Sequence, residues 1–186
     1  MRIIGGTARG KTLLAPEGMD TRPTSDRTRE SLFNILMHSV PGAKVLDLFA
    51  GSGALSAEAL SRGAHSVVCV DLSEKACAII WKNLELKGVA GTAQVIRADW
   101  KEALSRLKEP FDLVFLDPPY HMTEVYGQAF EALSQKGLLH SESIVVMEYE
   151  QDAHIALPPS AFVFDERKYG KARLKLVRLN KGEEDA

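Results

Sequence analysis

Apolar runs and helical patterns alternate along the chain from residue 44 onward. Short runs rich in valine, leucine and phenylalanine are each followed by a segment with helical periodicity. Repeated strand–helix units of this length predict a parallel sheet covered by helices on both faces. The predicted strands are Lys44–Phe49, Ser66–Asp71, Thr92–Ala98, Phe111–Asp117 and Ser143–Glu150. The predicted helices are Ala54–Arg62, a segment capped by Ser73 that runs to about Lys87, Trp100–Leu107 and Glu124–Gln135.

The last part of the chain breaks this alternation. Apolar segments at Ala161–Lys168 and Ala172–Asn180 are separated by only Tyr169-Gly170-Lys171. Because this connection is too short for the helical crossover that parallel strands need, the two segments are predicted to form an antiparallel hairpin. With the five preceding strands they complete a seven-stranded, mostly parallel sheet.

The first 43 residues also differ from the repeating pattern. Segments at Arg2–Ile4 and Lys11–Ala15 flank glycines, which predicts a small β-hairpin, and a helix is predicted to begin near Ser25. We therefore expect one α/β domain over residues 1–186. It comprises an N-terminal extension at 1–43, a core at 44–180 and a disordered tail at 181–186.

Composition narrows the class of protein. With 186 residues and 45% hydrophobic side chains, the chain is long enough for one well-packed core and too short for two ordinary domains. No segment approaches the roughly 20 apolar residues of a membrane-spanning helix, and the start MRIIGGTARGK lacks the apolar core of a secretory signal. Cys69 and Cys77 have no CxxC spacing, and the histidines show no ligand spacing. We therefore expect reduced core cysteines, no metal site and a cytoplasmic protein.

A net charge of −2 conceals two basic ends. Residues 1–11 contain three basic residues, residues 167–178 contain six, and neither stretch contains an acid. Such stretches form either ordinary solvated surface or a phosphate-binding face, and charge alone does not separate the two interpretations.

The segment DLFAGSG, residues 47–53, joins the first strand to a helix through a glycine turn. Such a turn brings backbone close to a ligand at the C-terminal edge of a parallel sheet. As a dinucleotide fingerprint the segment is incomplete, because Ser56 occupies the place of the third glycine. Asp47 adds negative charge where a pyrophosphate would bind, which favours a cationic or amine-bearing ligand. The predicted ligand contacts are Asp47, Phe49, Ala50, Gly51, Ser52 and Gly53.

Three more acids follow strand ends: Asp71 and Asp117 close the second and fourth strands, and Asp99 lies just past the third. A lone acid is more often a solvated strand end or a helix N-cap, but several at one edge of a parallel sheet indicate a ligand site. Asp71 is placed to accept hydrogen bonds from ribose hydroxyls and Asp99 from an adenine amino group, and Leu72 and Trp100 are placed to enclose the ring. These features describe a cationic nucleoside without phosphates, which matches S-adenosylmethionine.

The fourth strand ends in DPPY, residues 117–120. An acid is costly to bury and two successive prolines supply no backbone N–H, so this ending is unusual for a buried strand. These residues form either a rigid turn or part of a ligand-binding site.

Four motifs occur in a fixed order: DLFAGSG, an acid after VVCV, RAD and LDPPY. Together they resemble the motifs of class I S-adenosylmethionine-dependent methyltransferases, and the DPPY form resembles enzymes that methylate exocyclic amines of bases. The segments RIIGGTARGK and RPTSDRTRESLFNIL are similar to those of the guanine-N2 methyltransferases of bacterial 16S ribosomal RNA. The resemblance implies a Rossmann-like class I fold, S-adenosylmethionine as the methyl donor and ribosomal RNA as the partner. That RNA is either free or within a small-subunit assembly intermediate or a finished subunit.

For DPPY the resemblance implies a clamp for the amine. The Asp117 carboxylate and the Pro118 carbonyl accept hydrogen bonds from the amine, which favours its pyramidal, more nucleophilic form. Prolines at Pro118 and Pro119 restrict the backbone, so the acceptors are held in place. Tyr120 offers a flat face on which the extruded base stacks. His121 lies in a loop expected to face the substrate, and we do not expect it to act as a general base.

The remaining candidates concern RNA. The helix that opens with Thr24, Arg27 and Arg29 resembles a segment near the donor site and is expected to hold the methionine carboxylate or an RNA phosphate, unless its arginines are simply solvated. Glu148 is either near the target pocket or a solvated strand residue. The basic ends are expected to contact RNA through Arg9, Lys11, Lys168, Lys171 and Arg173.

Other functions stay open at this point. An adenine-N6 DNA methyltransferase shares DPPY but would normally need a larger target-recognition region than 186 residues allow. A non-catalytic RNA-binding module would keep the fold, although acids at every donor position argue against it. A dinucleotide oxidoreductase ranks lower, given Asp47 and the missing third glycine.

Overall fold

The computed structural model describes residues 1–15 and 25–180, so Thr24 and the predicted tail at 181–186 lie outside the described residues. The strands are β1 (Lys44–Asp47), β2 (Ser66–Asp71), β3 (Thr92–Arg97), β4 (Phe111–Leu116), β5 (Leu139–Glu150), β6 (Ala161–Tyr169) and β7 (Ala172–Leu179). The helices are α1 (Asp26–Ile35), α2 (Ala54–Ser61), α3 (Glu74–Leu84), α4 (Trp100–Arg106) and α5 (Val125–Gln135).

The strands form a seven-stranded sheet of order β3-β2-β1-β4-β5-β7-β6. Neighbours from β3 to β5 pair in parallel, whereas β7 is antiparallel to both β5 and β6. The predicted mostly parallel sheet with a C-terminal antiparallel hairpin is therefore confirmed. The largest difference is in β5, which begins at Leu139 rather than Ser143 because Leu139 pairs with Phe111 before a shift in register.

Helices cover both faces of the sheet, and alternate residues of the central strand β4 enter different cores. Leu113 and Phe115 belong to the core that includes α1, α2 and α3. Val114 and Leu116 belong to the core that includes α4 and α5. This alternation follows the two-residue period of a strand, and burial on both faces explains why β4 is apolar at nearly every position. The C-terminal edge of the sheet is therefore a firmly packed base for the loops that leave it.

The N-terminal extension pairs less extensively than the predicted hairpin. An isolated antiparallel bridge joins Arg2 and Thr12. Glu58, a buried residue of α2, anchors the segment by accepting hydrogen bonds from the N–H groups of Ile4 and Gly5, both at 2.8 Å. The extension is thus attached to the core through side-chain contacts as well as through its own backbone pairing.

Cys69 and Cys77 are free and buried, as predicted for core cysteines. Within residues 1–15 and 25–180, no helix combines the length and apolar character needed to cross a bilayer. In the same two ranges, no group of three or more His, Cys, Asp or Glu side chains is arranged to hold a metal ion.

Candidate functional site

A cavity of about 550 Å³ opens at the C-terminal ends of four neighbouring strands, β3, β2, β1 and β4. From β1 the chain proceeds outward to β2 and β3, and it then returns to place β4 on the other side of β1. Open α/β sheets bind ligands where the strand order reverses in this way. The wall is formed by Leu48, Phe49 and Gly51 beyond β1, Asp71 and Leu72 at the end of β2, Ala98, Asp99 and Trp100 beyond β3, and residues 117–122 beyond β4.

The glycine turn is shaped by its own backbone and by Asp71. Gly51 and Gly53 have φ values of 56° and 73°, in the left-handed region that favours glycine. The Asp71 carboxylate accepts hydrogen bonds from the Gly51 N–H at 2.9 Å and from the Ser73 N–H at 2.8 Å. These bonds hold Asp71 at the wall, where its oxygens retain lone pairs for further donors such as ribose hydroxyls.

Asn83 of α3 connects this turn to the N-terminal extension. Its buried amide donates to the main-chain carbonyls of Ser52 at 2.7 Å and Leu14 at 2.9 Å, and its oxygen accepts from the Leu14 N–H at 2.8 Å. Asn83 was not among the predicted site residues. An asparagine within a helix carries no local signal for partners that lie 31 and 69 residues away.

Asp47 does not line the cavity. Its carboxyl group is buried and accepts a hydrogen bond from Ser56 Oγ of α2 at 2.8 Å. Burial raises the pKa of Asp47 to about 7, although the Ser56 hydrogen bond opposes the rise. The predicted turn contacts therefore divide into two groups. Phe49 and Gly51 form part of this wall, whereas Asp47, Ala50, Ser52 and Gly53 do not.

Asp99 is both a helix N-cap and part of the wall. Its carboxylate accepts from the Lys101 N–H at 2.9 Å at the start of α4. Leu72 lines the same cavity and is 69% exposed, which is unusual for a leucine, while Trp100 is largely buried. The two side chains give the wall apolar surface suited to a flat ring.

The DPPY tip combines a half-buried acid with an exposed aromatic ring. Pro118 is buried, whereas Pro119 and Tyr120 are exposed, and His121 beside them lines the same cavity. Burial raises the pKa of the Asp117 carboxyl well above its ordinary value, and the nearby Glu148 and Asp47 raise it further. This carboxyl group therefore gains most from a ligand that donates hydrogen bonds to it.

Glu148 lies beside Asp117. Leu116 of β4 and Met147 of β5 are register partners, so the residues that follow them are neighbours at the edge of the sheet. The Glu148 side chain is buried, and its main-chain carbonyl accepts from the Tyr126 hydroxyl at 2.5 Å. Of the two interpretations that the sequence allowed, the structure excludes the solvated acid.

Arg29 is enclosed by protein and does not face solvent. Its side chain is 1% exposed, and its guanidinium pairs with Asp26 at 2.9 Å and lies 3.8 Å from the Glu58 carboxylate. The prediction that Arg29 contacts RNA is wrong, because these acids hold the guanidinium in the interior. Arg27, on the same helix, is exposed as an RNA contact requires.

The cations of the two basic ends differ in how far they are already paired. Arg173 pairs with Glu166 at 3.0 Å, and Lys11 donates to the main-chain carbonyl of Glu85 at 2.5 Å. The basic stretch near the C-terminus is thus partly neutralised by acids that directly precede it. The exposed cations of the predicted set are Arg9, Lys168 and Lys171.

The strand order, the antiparallel β7 and a cavity at the β1–β4 reversal together define the class: this is the class I methyltransferase fold. Solved structures agree. The Escherichia coli protein yhhF superposes with a TM-score of 0.83 at 33% identity, covering 97% of this chain and 98% of that chain. TrmN from Thermus thermophilus gives a TM-score of 0.66 at 25% identity, covering 82% of this chain and 48% of that chain.

Sequence relatives identify the family. A family model described as conserved hypothetical protein 95 matches residues 1–178. Ribosomal RNA small subunit methyltransferase D of Escherichia coli is 35% identical, covering 100% of this chain and 94% of that protein. The protein of the same name from Haemophilus influenzae is 36% identical, covering 96% of this chain and 93% of that protein. The chain belongs to this family of methyltransferases.

Proposed function

We propose that this protein transfers a methyl group from S-adenosylmethionine to the N2 amine of a guanine in small-subunit ribosomal RNA. The observation that carries the proposal is a single cavity shared by two sets of residues. One set suits a cationic nucleoside, and the other, the DPPY tip, suits an amine. The names of the relatives support ribosomal RNA as the substrate class.

The wall of the cavity fits S-adenosylmethionine chemically. Asp71 accepts hydrogen bonds from ribose hydroxyls and Asp99 from the adenine amino group, while Leu72 and Trp100 pack against the ring. None of the described wall residues is lysine or arginine. A sulfonium cation therefore meets no like charge there, whereas a pyrophosphate would find no cation to pair with. When bound, S-adenosylmethionine supplies an electrophilic methyl group.

The DPPY tip prepares the amine. The Asp117 carboxylate and the Pro118 carbonyl accept its N–H bonds, which draws the nitrogen lone pair out of conjugation with the ring. Restricted backbone at the two prolines holds these acceptors in place before the substrate arrives. Tyr120, exposed beside them, stacks on the extruded base.

Exposed cations outside the cavity hold the RNA backbone. Phosphate contacts supply affinity that does not depend on sequence, so these residues position the RNA without choosing the base. The proposed contacts are Arg9, Arg27, Lys168 and Lys171.

Mapping modified nucleotides in ribosomal RNA from cells with and without the gene tests this function. We expect an N2-methylguanosine in small-subunit RNA that disappears with the gene and returns with the wild-type protein. The purified protein should also transfer label from tritiated S-adenosylmethionine to unmodified small-subunit RNA. A gene-dependent N6-methyladenine in DNA would instead support the adenine methyltransferase, and an unchanged methylation map would refute the proposal.

A further inference from the structure

Asn83 holds the glycine turn from outside the cavity. The residue is 2% exposed, and its side-chain amide donates to the main-chain carbonyl of Ser52 at 2.7 Å. Ser52 lies between Gly51 and Gly53, both of which have left-handed φ values. Because glycines are conformationally permissive, a turn built from them keeps one shape only where its polar groups are bonded to fixed partners. Asn83 supplies such a partner from α3.

The amide of Asn83 is itself oriented by the N-terminal extension. Its Nδ2 also donates to the Leu14 carbonyl at 2.9 Å, and its oxygen accepts from the Leu14 N–H at 2.8 Å. An asparagine amide offers two N–H donors and one carbonyl oxygen, so these contacts use both donors and the acceptor. The orientation that directs an N–H at Ser52 is therefore set by Leu14 as well as by the turn.

Gly51 links this contact to the cavity. Gly51 lines the wall, and its N–H donates to the Asp71 carboxylate at 2.9 Å. Two consecutive residues of the turn are thus held by side chains from different elements, one at the end of β2 and one in α3. A shift of the Ser52 carbonyl would move Gly51 relative to Asp71, and the Asp71 oxygens would lose the alignment that suits ribose hydroxyls.

We propose that Asn83 is a positioning residue for S-adenosylmethionine. It fixes the Ser52 carbonyl, and through it the part of the wall that Gly51 and Asp71 form, without touching the ligand. The inference rests on the proposed function for the identity of the ligand, and it adds a residue outside the cavity to the proposed site. The N-terminal extension becomes a support of that site, because Leu14 orients the amide.

Asn83→Asp tests the bond to Ser52. The side chain is isosteric and keeps an acceptor for the Leu14 N–H, but a carboxylate has no N–H to donate to the Ser52 carbonyl. We expect calorimetry to show an affinity for S-adenosylmethionine that is lower by about tenfold or more. The single-turnover rate on unmodified small-subunit RNA at saturating S-adenosylmethionine should stay close to that of the wild type, because DPPY is unchanged. Wild-type affinity in this variant would overturn the inference.

The control is Ser61→Ala, which loosens the extension at a different point. The buried Ser61 hydroxyl accepts from the Ala8 N–H at 2.9 Å and donates to the Gly5 carbonyl at 2.6 Å, and Ser61 is the last residue of α2, whereas the glycine turn precedes the first. Urea unfolding should show a loss of stability in Ser61→Ala, while its affinity for S-adenosylmethionine should match that of the wild type. An equal loss of affinity in Ser61→Ala and Asn83→Asp would assign the effect to general loosening of the extension, and the inference would be wrong.

Asn83→Ala guards against misfolding of Asn83→Asp, because it removes the amide without placing a charge in the interior. Its affinity for S-adenosylmethionine should fall in the same way. Because Asn83 and Asp71 hold the same turn, Asn83→Ala should weaken binding by a smaller factor in the Asp71→Ala background than in the wild-type protein. Equal factors in the two backgrounds would contradict the inference. A wild-type protein that binds no S-adenosylmethionine would refute the proposed function instead.

Discussion

The two ends of the cavity each contain acids, yet the acids are held in different ways. At the end proposed to bind the methyl donor, Asp71 and Asp99 accept hydrogen bonds from main-chain N–H groups of the glycine turn and of the segments that begin α3 and α4. At the end proposed to bind the target amine, the half-buried Asp117 carboxyl group has Glu148 as its neighbour. The first pair fixes the conformation of loops while keeping lone pairs for a ligand. Of the second pair, Asp117 lines the cavity and its carboxyl group has a pKa raised by burial, so it gains most from a ligand that donates hydrogen bonds to it. Hydrogen-bond partners therefore separate roles that residue type alone does not.

The largest effect on activity is expected for Asp117→Ala, which removes the acid at the end of the cavity proposed to bind the amine. Removal of an acceptor that acts mainly in the transition state should lower turnover by ~10²-fold or more. Affinity for S-adenosylmethionine should change little, because Asp71 and Asp99 are unchanged. Single-turnover methylation with tritiated donor, together with calorimetric donor binding, measures both quantities. Near-normal turnover would mean that DPPY is only a rigid turn.

Asp71→Ala should show the opposite pattern, with a larger effect on S-adenosylmethionine binding than on the rate of methyl transfer. It removes acceptors for ribose and also the partner of the Gly51 N–H, so donor binding should weaken by roughly 1.5–3 kcal/mol. The single-turnover rate at saturating donor should fall much less than in Asp117→Ala. Calorimetry with S-adenosylmethionine tests this, and NAD serves as the control ligand, which we expect to bind poorly. Unchanged affinity for S-adenosylmethionine in Asp71→Ala would contradict the proposal that Asp71 binds the ribose hydroxyls.

A smaller effect concerns stability at Asp47, the buried acid at the end of β1. The unfolded chain releases this proton near the ordinary pKa of 3.8, whereas the folded protein holds it until about pH 7. Between these values the folded state binds more protons, so stability falls as pH rises. Asp47→Asn has no carboxyl group to titrate at this position, so most of this fall in stability should be absent. Urea unfolding at acidic and neutral pH measures the free energy of unfolding of the wild-type protein and of Asp47→Asn. Equal pH dependence in the two proteins would contradict the prediction.

Features with local causes could be predicted from the sequence. Ser73 caps α3 as expected, and Ser25 caps α1, which was predicted to begin near it; each side chain accepts from the N–H group three residues ahead. The strands followed from short apolar runs, and Asp71, Asp99 and Asp117 reached one cavity because parallel strands end at the same edge.

Features that depend on distant partners could not. Arg29 was predicted to hold the methionine carboxylate or an RNA phosphate, or else to be solvated, and its burial depends on Glu58, which lies 29 residues further along the chain. Glu148 looked like an acid near the end of a strand, and the pairing of β5 with β7 places Leu174 alongside it. In both cases the decisive contact joins elements that no local periodicity relates to each other.

The contacts of Glu58 and Asn83 bear on how this chain can vary between relatives. Removal of the first 14 residues would take hydrogen-bond donors and acceptors away from buried Glu58 of α2 and Asn83 of α3, at a cost of about 1–3 kcal/mol for each group left unsatisfied. The extension therefore cannot be exchanged as a separate module. A chimera built from two relatives should fold well only when the extension, α2 and α3 come from the same parent.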